Sequence, residues 1–454
     1  MADDPVFRAG GLASGLDTNS IIDGMTKLEQ RPLDQLRTQQ TGFKTQVSLI
    51  GQLVSKINDF YTAAKSLGDN GALGVKTTST NVDFTATASS SSASGSYTVS
   101  VQDLATSAQK RSAAFTDGTS PVRGGTLQVK VQGQDYGTIN IADGESLQDV
   151  ANDIRGLGAP INISVLSNGS GKTYLSITNK NTGFSTADTT GALQLIETSD
   201  PAATQGQALG FTVAHDATNA KVTVDGLQFT RQSNTITDAI PGTTLQLKGK
   251  TSTDEQLTMD YDTSATAANL QKFVDIYNDI VTTIKKDQTV NAGDDRNATL
   301  AGDSTMRSLL QSLQSVITTQ VSGLGGVRTM ADLGLKTNYQ DGTISVDSTR
   351  LANAIQTDAS AVNKIFGDTL TGVSAQAFNL QRKFTGVIDG ILTSRTNGLN
   401  DAIKRMDGDA DKMQARLDAF KANLVTQFTA MEQLVGGLKA TGNFLTQQSA
   451  QPSK

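Results

Sequence analysis

Residues Gly169-Ser-Gly-Lys-Thr173 resemble the last residues of a phosphate-binding P-loop. The full motif, G-x-x-x-x-G-K-[ST], requires a glycine at the position of Leu166. The loop must also open a helix, because the N–H groups at the helix N-terminus bind the phosphates. The next residues, Tyr174-Leu-Ser-Ile-Thr178, read as a strand. The segment therefore predicts a hairpin turn, and no nucleotide site is expected.

Asp407, Asp409 and Asp411 have the one-three-five spacing of a calcium-binding loop. Such a loop needs glycine at its sixth position and glutamate at its twelfth, where this chain has Lys412 and Asp418. The segment also lies within a helical repeat. A solvated helix face is the favoured interpretation.

Nucleophilic catalysis has equally little support. Gly11-Leu-Ala-Ser14-Gly15 does not fit the motif G-x-S-x-G. The motif needs a glycine two residues before the serine, and this chain has Leu12 there. His215, beside Asp216, is the only histidine, so any Ser-His-Asp triad must include it. No nucleophile is placed near it by local sequence, which favours a surface or strand-end histidine. We expect no catalytic, cofactor-binding or metal-binding residues, and no enzyme.

Composition excludes further classes. The 454 residues contain no Cys, no Trp and only 7 Pro, with 38 Lys+Arg against 44 Asp+Glu and a net charge of −6. Absence of Cys excludes disulfides, thiolate zinc sites and cysteine nucleophiles. The acidic balance disfavours nucleic acid as a partner. Residues 1–19 lack the pattern of a secretory signal, and no apolar run is long enough to span a membrane.

The strongest periodic pattern predicts a long N-terminal helix. Apolar residues alternate steps of three and four, with one polar break at Gln40, which is the 3.5-residue repeat of a coiled-coil seam. Pro32 is expected to separate this helix from a shorter one that Ser20 opens, or to bend the helix between them. The seam positions are Leu33, Leu36, Gln40, Phe43, Val47, Ile50, Val54, Ile57, Tyr61 and Ala64.

The C-terminus repeats the pattern, again with one glutamine, Gln427. Its seam positions are Leu399, Ile403, Met406, Ala410, Met413, Leu417, Phe420, Leu424, Gln427, Met431, Leu434, Leu438 and Leu445. Two such helices at opposite ends of the chain favour a terminal coiled coil, although ordinary amphipathic helices packed on a globular core remain an alternative. The predicted coiled-coil or oligomer interface comprises Leu36, Phe43, Val47, Ile50, Val54, Ile57, Met413, Leu417, Phe420, Leu424, Met431 and Leu434.

Between these helices the chain is polar and β-rich. Short alternating strands begin near residue 76, and segment 113–214 is predicted to form an acidic α+β module. Its helix covers Ser146–Ile154. Helical periodicity resumes at 270–284 and 309–317, followed by a hairpin whose two-residue turn is Asp341-Gly342. This palindromic order predicts an α+β multidomain chain that runs outward and returns.

Several segments resemble the bacterial flagellar filament-capping family, called hook-associated protein 2 or FliD. The segments Gly11–Ile22 and Leu28–Leu33 are similar to the opening of that family. Segment 180–210 matches no pattern of it. The other similar segments are Asp225–Asn234, Ile240–Leu245, Leu333–Leu335, Asp341–Gly342, Val346–Asp347, Ile365–Phe366 and Phe428–Glu432. Thr138–Leu147 resembles a module that flagellins and hook-associated proteins share.

The resemblance implies a structural protein at the extracellular tip of the flagellum. Family members have a coiled-coil leg, a helical stem and nested β-rich heads, and a ring of about five copies is expected. The ring holds exported flagellin until it enters the filament. Implied partners are other copies, flagellin, the type III export apparatus and an export chaperone. Some members also adhere to host surfaces.

Four nested domains are expected. They are a leg (1–45 with 400–454), a stem (46–75 with 265–399), a β-rich head (76–112 with 215–264) and a distal α+β head (113–214). Two alternative functions carry similar architecture: another flagellar axial protein, such as a junction subunit or flagellin, and an exported adhesin.

Overall fold

The computed structural model describes residues 14–185, 191–290 and 296–449. Outside these ranges lie Gly11–Ala13 of the opening motif, 186–190 of segment 180–210, and residues 1–13 and 450–454 of the predicted leg. The helices are α1 (Thr18–Asn70), α2 (Leu147–Gly156), α3 (Thr263–Gln288), α4 (Ser304–Thr318), α5 (Ser348–Gly367), α6 (Val373–Thr385) and α7 (Ile391–Ser449), with a 3₁₀ turn at Arg296–Ala298.

Nineteen strands occur in the described residues. They are β1 (Val75–Ser79), β2 (Phe84–Ala88), β3 (Gly95–Asp103), β4 (Gln109–Arg111), β5 (Pro121–Val122), β6 (Gly125–Val131), β7 (Gln134–Ile141), β8 (Glu145–Ser146), β9 (Ile161–Ser167), β10 (Thr173–Asn179), β11 (Leu193–Ser199), β12 (Thr212–His215), β13 (Ala220–Val224), β14 (Leu227–Arg231), β15 (Thr235–Ile240), β16 (Thr243–Leu247), β17 (Glu255–Tyr261), β18 (Leu335–Thr337) and β19 (Ile344–Val346).

The chain divides into two compact units. The helical unit comprises residues 1–69, 270–350 and 364–454, and the β-rich unit comprises 70–269 and 351–363. Each unit is therefore built from discontinuous segments, and the chain leaves the helical unit and returns to it. The predicted α+β multidomain class is confirmed.

Aromatic side chains fill the core of the helical unit. The Phe60 ring of α1 lies 4.9 Å from the Phe273 ring of α3, and Phe273 meets Phe366 of α5 edge-on at 5.7 Å. Such tilted and edge-on contacts add to the stabilisation from burial. Tyr277 lies 6.2 Å from Phe60 and is also fully buried. These contacts join three helices that are far apart in sequence.

Burial raises the pKa of Tyr277 from 10.0 to about 12. Between these values the unfolded chain loses a proton that the folded chain keeps, so the stabilisation present below pH 10 is lost as the pH rises. We expect the free energy of unfolding to fall between pH 10 and about pH 12, and Tyr277→Phe to reduce that fall. Urea unfolding followed by circular dichroism tests this, with the exposed Tyr339→Phe as control. An equal fall in Tyr277→Phe and the wild type would contradict the prediction.

The β-rich unit contains two separate hydrophobic cores. One lies between a five-stranded sheet, β1-β17-β3-β13-β14, and a three-stranded sheet, β15-β16-β2. The other lies among the sheets β12-β4-β10-β9 and β11-β6-β7 and helix α2. All the registered strand pairs are antiparallel, as expected for strands that expose one face to water.

Local sequence explains α2 well. Ser146 caps its N-terminus by accepting a hydrogen bond from the Asp149 N–H at 3.1 Å. Leu147, Val150 and Ile154 follow at helical spacing and are fully buried. The predicted helix is confirmed.

The hairpin containing Asp341-Gly342 forms, but the predicted two-residue turn is wrong. β18 and β19 are joined by the six residues 338–343. A tight type I′ turn needs positive φ at both central residues, and here Gly342 has it (68°). The Asp341 carboxylate instead accepts hydrogen bonds from the N–H and hydroxyl of Thr343. The tight turn occurs at Asp225-Gly226, where φ is 48° and 81°.

Of the two outcomes predicted for Pro32, separation into two helices is wrong, since α1 runs through it. Proline removes one hydrogen bond to the carbonyl of residue 28. Pro32 and Leu28 both lie on the exposed face of the helix, where water can bind that carbonyl. The structure therefore tolerates the proline without ending the helix.

Candidate functional site

The two terminal helices pair antiparallel within the helical unit. The Ser14 N–H donates to Glu432 Oε2 at 3.2 Å, and the Ser14 hydroxyl donates to Glu432 Oε1. Further along α1, Arg37 Nη2 donates to Gln414 Oε1 at 3.3 Å. Residue numbers rise along α1 as they fall along α7, so the helices run in opposite directions. We call residues 14–45 and 400–449 the terminal helix pair.

A buried polar contact fixes the register of this pair. Gln40, the polar residue predicted within the α1 seam, is buried and donates through Nε2 to Asp407 Oδ1. A buried amide without a partner costs free energy, so a shifted register is penalised. Asp407, the first aspartate of the calcium-like spacing, lies on α7 and serves as this acceptor. Gln427, the equivalent polar residue on α7, is exposed.

The predicted interface residues of α1 are all at least half-buried. Ile50 and Ile57 are fully buried, whereas the others are partly exposed, namely Leu36, Phe43, Val47 and Val54. From residue 50 onward the fully buried positions include Leu53 and Phe60, which the predicted seam missed. These positions keep the alternating steps of three and four, but in a frame one residue earlier, because α1 there packs Phe60 against Phe273 of α3.

The predicted interface residues of α7 differ in how deeply they are buried. Leu417 and Leu424 are buried, and Met413, Phe420 and Met431 are half-buried. Leu434 is 65% exposed. It begins an exposed apolar series that also includes Leu438, Phe444 and Leu445 on α7, Leu16 just before α1, and Ile21, Met25 and Leu28 on α1.

This exposed apolar series lies at one end of the terminal helix pair. Exposed large apolar side chains grouped in this way are typical of interaction sites. Neither helix covers these side chains, although the same two helices bury Leu417 and Leu424 nearby. The pair is therefore well closed in its middle and apolar at its outer end, which suits association with another chain.

The residues whose types and spacing resemble catalytic motifs lie in turns and at strand ends. Gly169–Gly171 lie in the turn between β9 and β10, as predicted, and the exposed His215 ends the edge strand β12. Within residues 14–185, 191–290 and 296–449, no three His, Asp or Glu side chains gather where a metal ion could bind. In the same ranges, every helix is too short or too polar to cross a membrane.

Two family models match the chain on either side of the second β core. The N-terminal model of flagellar hook-associated protein 2 matches residues 14–108, and the C-terminal model matches 217–440. Among similar proteins, the A-type flagellar hook-associated protein 2 of Pseudomonas aeruginosa is 30% identical, with 96% of each chain covered. Flagellar hook-associated protein 2 of Escherichia coli K12 is 31% identical, covering 96% of this chain and 97% of that protein.

A solved structure agrees with these matches. The crystal structure of the D1-D2-D3 domains of the flagellar cap protein FliD from Escherichia coli superposes with a TM-score of 0.65 at 28% identity, covering 78% of this chain and 99% of that one. The family predicted from the opening segment and the later segments is confirmed. With its helical unit, β-rich unit and paired ends, the chain belongs to the flagellar hook-associated protein 2 family.

Proposed function

We propose that this chain is a subunit of the cap at the extracellular tip of the bacterial flagellar filament. The likeness to the FliD D1-D2-D3 structure, over nearly all of that chain, carries the proposal. In this role several copies form a ring, hold exported flagellin and promote its insertion. The junction-subunit and flagellin alternatives are not favoured, because both family models are those of hook-associated protein 2.

The work is binding and templating, without bond chemistry. Two of the side chains whose spacing resembles a catalytic or metal-binding motif make contacts that hold the structure. Ser14 binds Glu432, and Asp407 binds Gln40. Glycines 169 and 171 adopt the positive φ of a turn. The terminal helix pair is the part we assign to packing against other chains, through its exposed apolar end.

We propose that the chain is organised as the four nested domains given above, each with its own role in the cap. Two observations support the split of the head: the β-rich unit has two separate cores, and the buried residues of the second core lie within 108–209. We assign the leg to the terminal helix pair. The type III export apparatus and an export chaperone are the further partners we propose, with a host surface as a candidate for the distal head.

Complementation of a strain lacking this gene tests the proposal. We expect the deletion strain to release monomeric flagellin into the medium and swim poorly, and the restored gene to reverse both effects. Loss of the whole filament protein would instead indicate a flagellin, and normal swimming with lost attachment would indicate an adhesin. Electron microscopy of the purified oligomer should show a plate with legs, whereas a filament would overturn the proposal.

A further inference from the structure

The turn between β9 and β10 contains an Asn-Gly pair, Asn168-Gly169, and both residues are exposed. Its glycine begins the segment that resembles the end of a P-loop. An asparagine followed by glycine can react with its own backbone, because glycine has no side chain to hinder the approach of its nitrogen to the asparagine Cγ. We call residues 168–172 the Asn-Gly turn.

The reaction of such a pair converts the amide to a carboxylate and needs water as its only co-reactant. The Gly169 nitrogen loses its proton to water or hydroxide and forms a bond to Asn168 Cγ. The electron pair of the side-chain carbonyl moves to Oδ1, which becomes an oxyanion. When that pair returns, the bond from Cγ to Nδ2 breaks and Nδ2 takes a proton from water, so that ammonia leaves and a succinimide remains. Water then opens the succinimide to aspartate or isoaspartate.

The structure places two hydrogen-bond donors on the oxygen that becomes the oxyanion. The Ser170 N–H donates to Asn168 Oδ1 at 3.0 Å, and the Lys172 N–H donates to the same atom at 3.2 Å. Donors that are already in place stabilise negative charge as it develops, which is how an oxyanion hole accelerates acyl transfer. Both contacts are to Oδ1, so neither has to break when Nδ2 leaves.

The same contacts keep the reacting atoms close together. The hydrogen bond from Ser170 closes a small ring that contains both Asn168 Cγ and the Gly169 nitrogen, so the side chain is folded back over its own backbone. The Asn168 N–H donates to the Lys172 carbonyl at 2.9 Å, which holds the two ends of the turn. The Gly169 N–H makes a long contact of 3.5 Å to Ser167 Oγ, so little hydrogen-bond energy is lost when its proton leaves. Reactants held in this way lose less entropy on reaction.

The other two Asn-Gly pairs of the sequence have backbones that oppose the reaction. Asn397-Gly398 is also exposed, but it lies inside α7, where the hydrogen bonds of the helix engage the glycine nitrogen and fix the backbone. Asn70-Gly71 lies at the end of α1, and a Cβ at Gly71 would lie 2.0 Å from Ser90 Oγ, so the backbone there is crowded. Exposure does not distinguish Asn168 from Asn397, whereas the local backbone does.

We propose that Asn168 is a site of spontaneous modification, at which the folded Asn-Gly turn promotes conversion to aspartate or isoaspartate. This inference goes beyond the cap function and does not depend on it. The aspartate product still accepts hydrogen bonds from Ser170 and Lys172, and these become charge-assisted. It adds one negative charge to the predicted distal head, and isoaspartate also lengthens the backbone of the turn. The surface of the β9-β10 hairpin therefore changes with time, without an enzyme.

Mass spectrometry of the full-length protein tests the proposal. The folded protein, and the same protein unfolded in urea, are incubated at mildly alkaline pH in water enriched in heavy oxygen, so that only residues that convert during the incubation gain the label. Trypsin in ordinary water then releases peptide 156–172, which contains Asn168, and peptide 396–404, which contains Asn397. In the folded protein we expect Asn168 to convert at least about 10-fold faster than Asn397, a fraction of the effect of one oxyanion-hole donor in an enzyme. Asn168 should also convert at least as fast as it does in urea.

Two variants complete the test. Asn168→Gln should leave peptide 156–172 unlabelled, because glutamine would have to form a larger ring. Asn168→Asp, which is the product, should unfold at the same urea concentration as the wild type, because its carboxylate accepts the same hydrogen bonds. Slower conversion of Asn168 in the folded protein than in urea would show that the turn restrains the side chain, and would overturn the proposal. Equal rates at Asn168 and Asn397 in the folded protein would overturn it as well.

Discussion

Replacing Phe60 by alanine should lower the free energy of unfolding of the helical unit by about 3–5 kcal/mol. Phe60 is fully buried and contacts the rings of both Phe273 and Tyr277. The substitution removes those contacts and leaves a cavity among three helices that cannot easily collapse. Urea unfolding followed by far-ultraviolet circular dichroism, which reports mainly the helices, measures the loss.

The adjacent residue provides the control. Tyr61 is half-buried, and Tyr61→Ala should cost less, about 1 kcal/mol, because part of its side chain already meets solvent. The comparison tests which face of α1 packs into the core, since the 3.5-residue seam includes Tyr61 and the structure buries Phe60. A larger loss for Tyr61→Ala than for Phe60→Ala would show that the helix is rotated from the position described here.

Replacing Phe420 by aspartate should abolish cap function while leaving the β-rich unit folded. Phe420 lies between the buried Leu417 and Leu424 on α7, so a carboxylate there must either lose its hydration or open the terminal helix pair. The two cores of the β-rich unit contain no residue of α7 and should be unaffected. In a deletion strain, the variant should leave swimming at the deletion level and release monomeric flagellin.

Ala419→Asp is the matched control for that experiment. Ala419 precedes Phe420 on the same helix but is exposed, so the same charge remains in water there. We expect it to restore swimming fully. Normal filament growth with Phe420→Asp would show that closure of the terminal helix pair is not needed for capping. Failure of both variants would instead implicate the added charge, whatever face of the helix carries it.

The features that the sequence predicts well depend on local periodicity. Helix α2 follows from its cap at Ser146 and its apolar face, and strands such as β6 follow from alternation through Leu127 and Val129. The terminal seams also follow from spacing, and Ile50, Ile57, Leu417 and Leu424 are buried. These patterns are visible because one face of each element packs and the other meets water.

Other features depend on contacts between distant residues. The seam frame changes after Ile50 because α1 then packs against α3, whose Phe273 is more than two hundred positions away. Spacing alone did not distinguish Phe60 from Tyr61, since both are apolar enough for either face. The loop at 338–343 differs from the predicted turn because the Asp341 side chain binds Thr343. A local pattern could not identify Asp407 as the partner of Gln40, because the two residues are 367 positions apart.

The antiparallel pairing of the chain ends has a consequence for the order of folding. Gln40 and Asp407 are 367 residues apart, and Ser14 and Glu432 are 418 apart. Contacts of such high sequence separation form late, because the intervening chain must first be brought to order. If the chain is exported through a narrow channel, as we propose, this pair cannot close until α7 has emerged. The register contact at Gln40 then forms only in a chain that has emerged at least as far as Asp407.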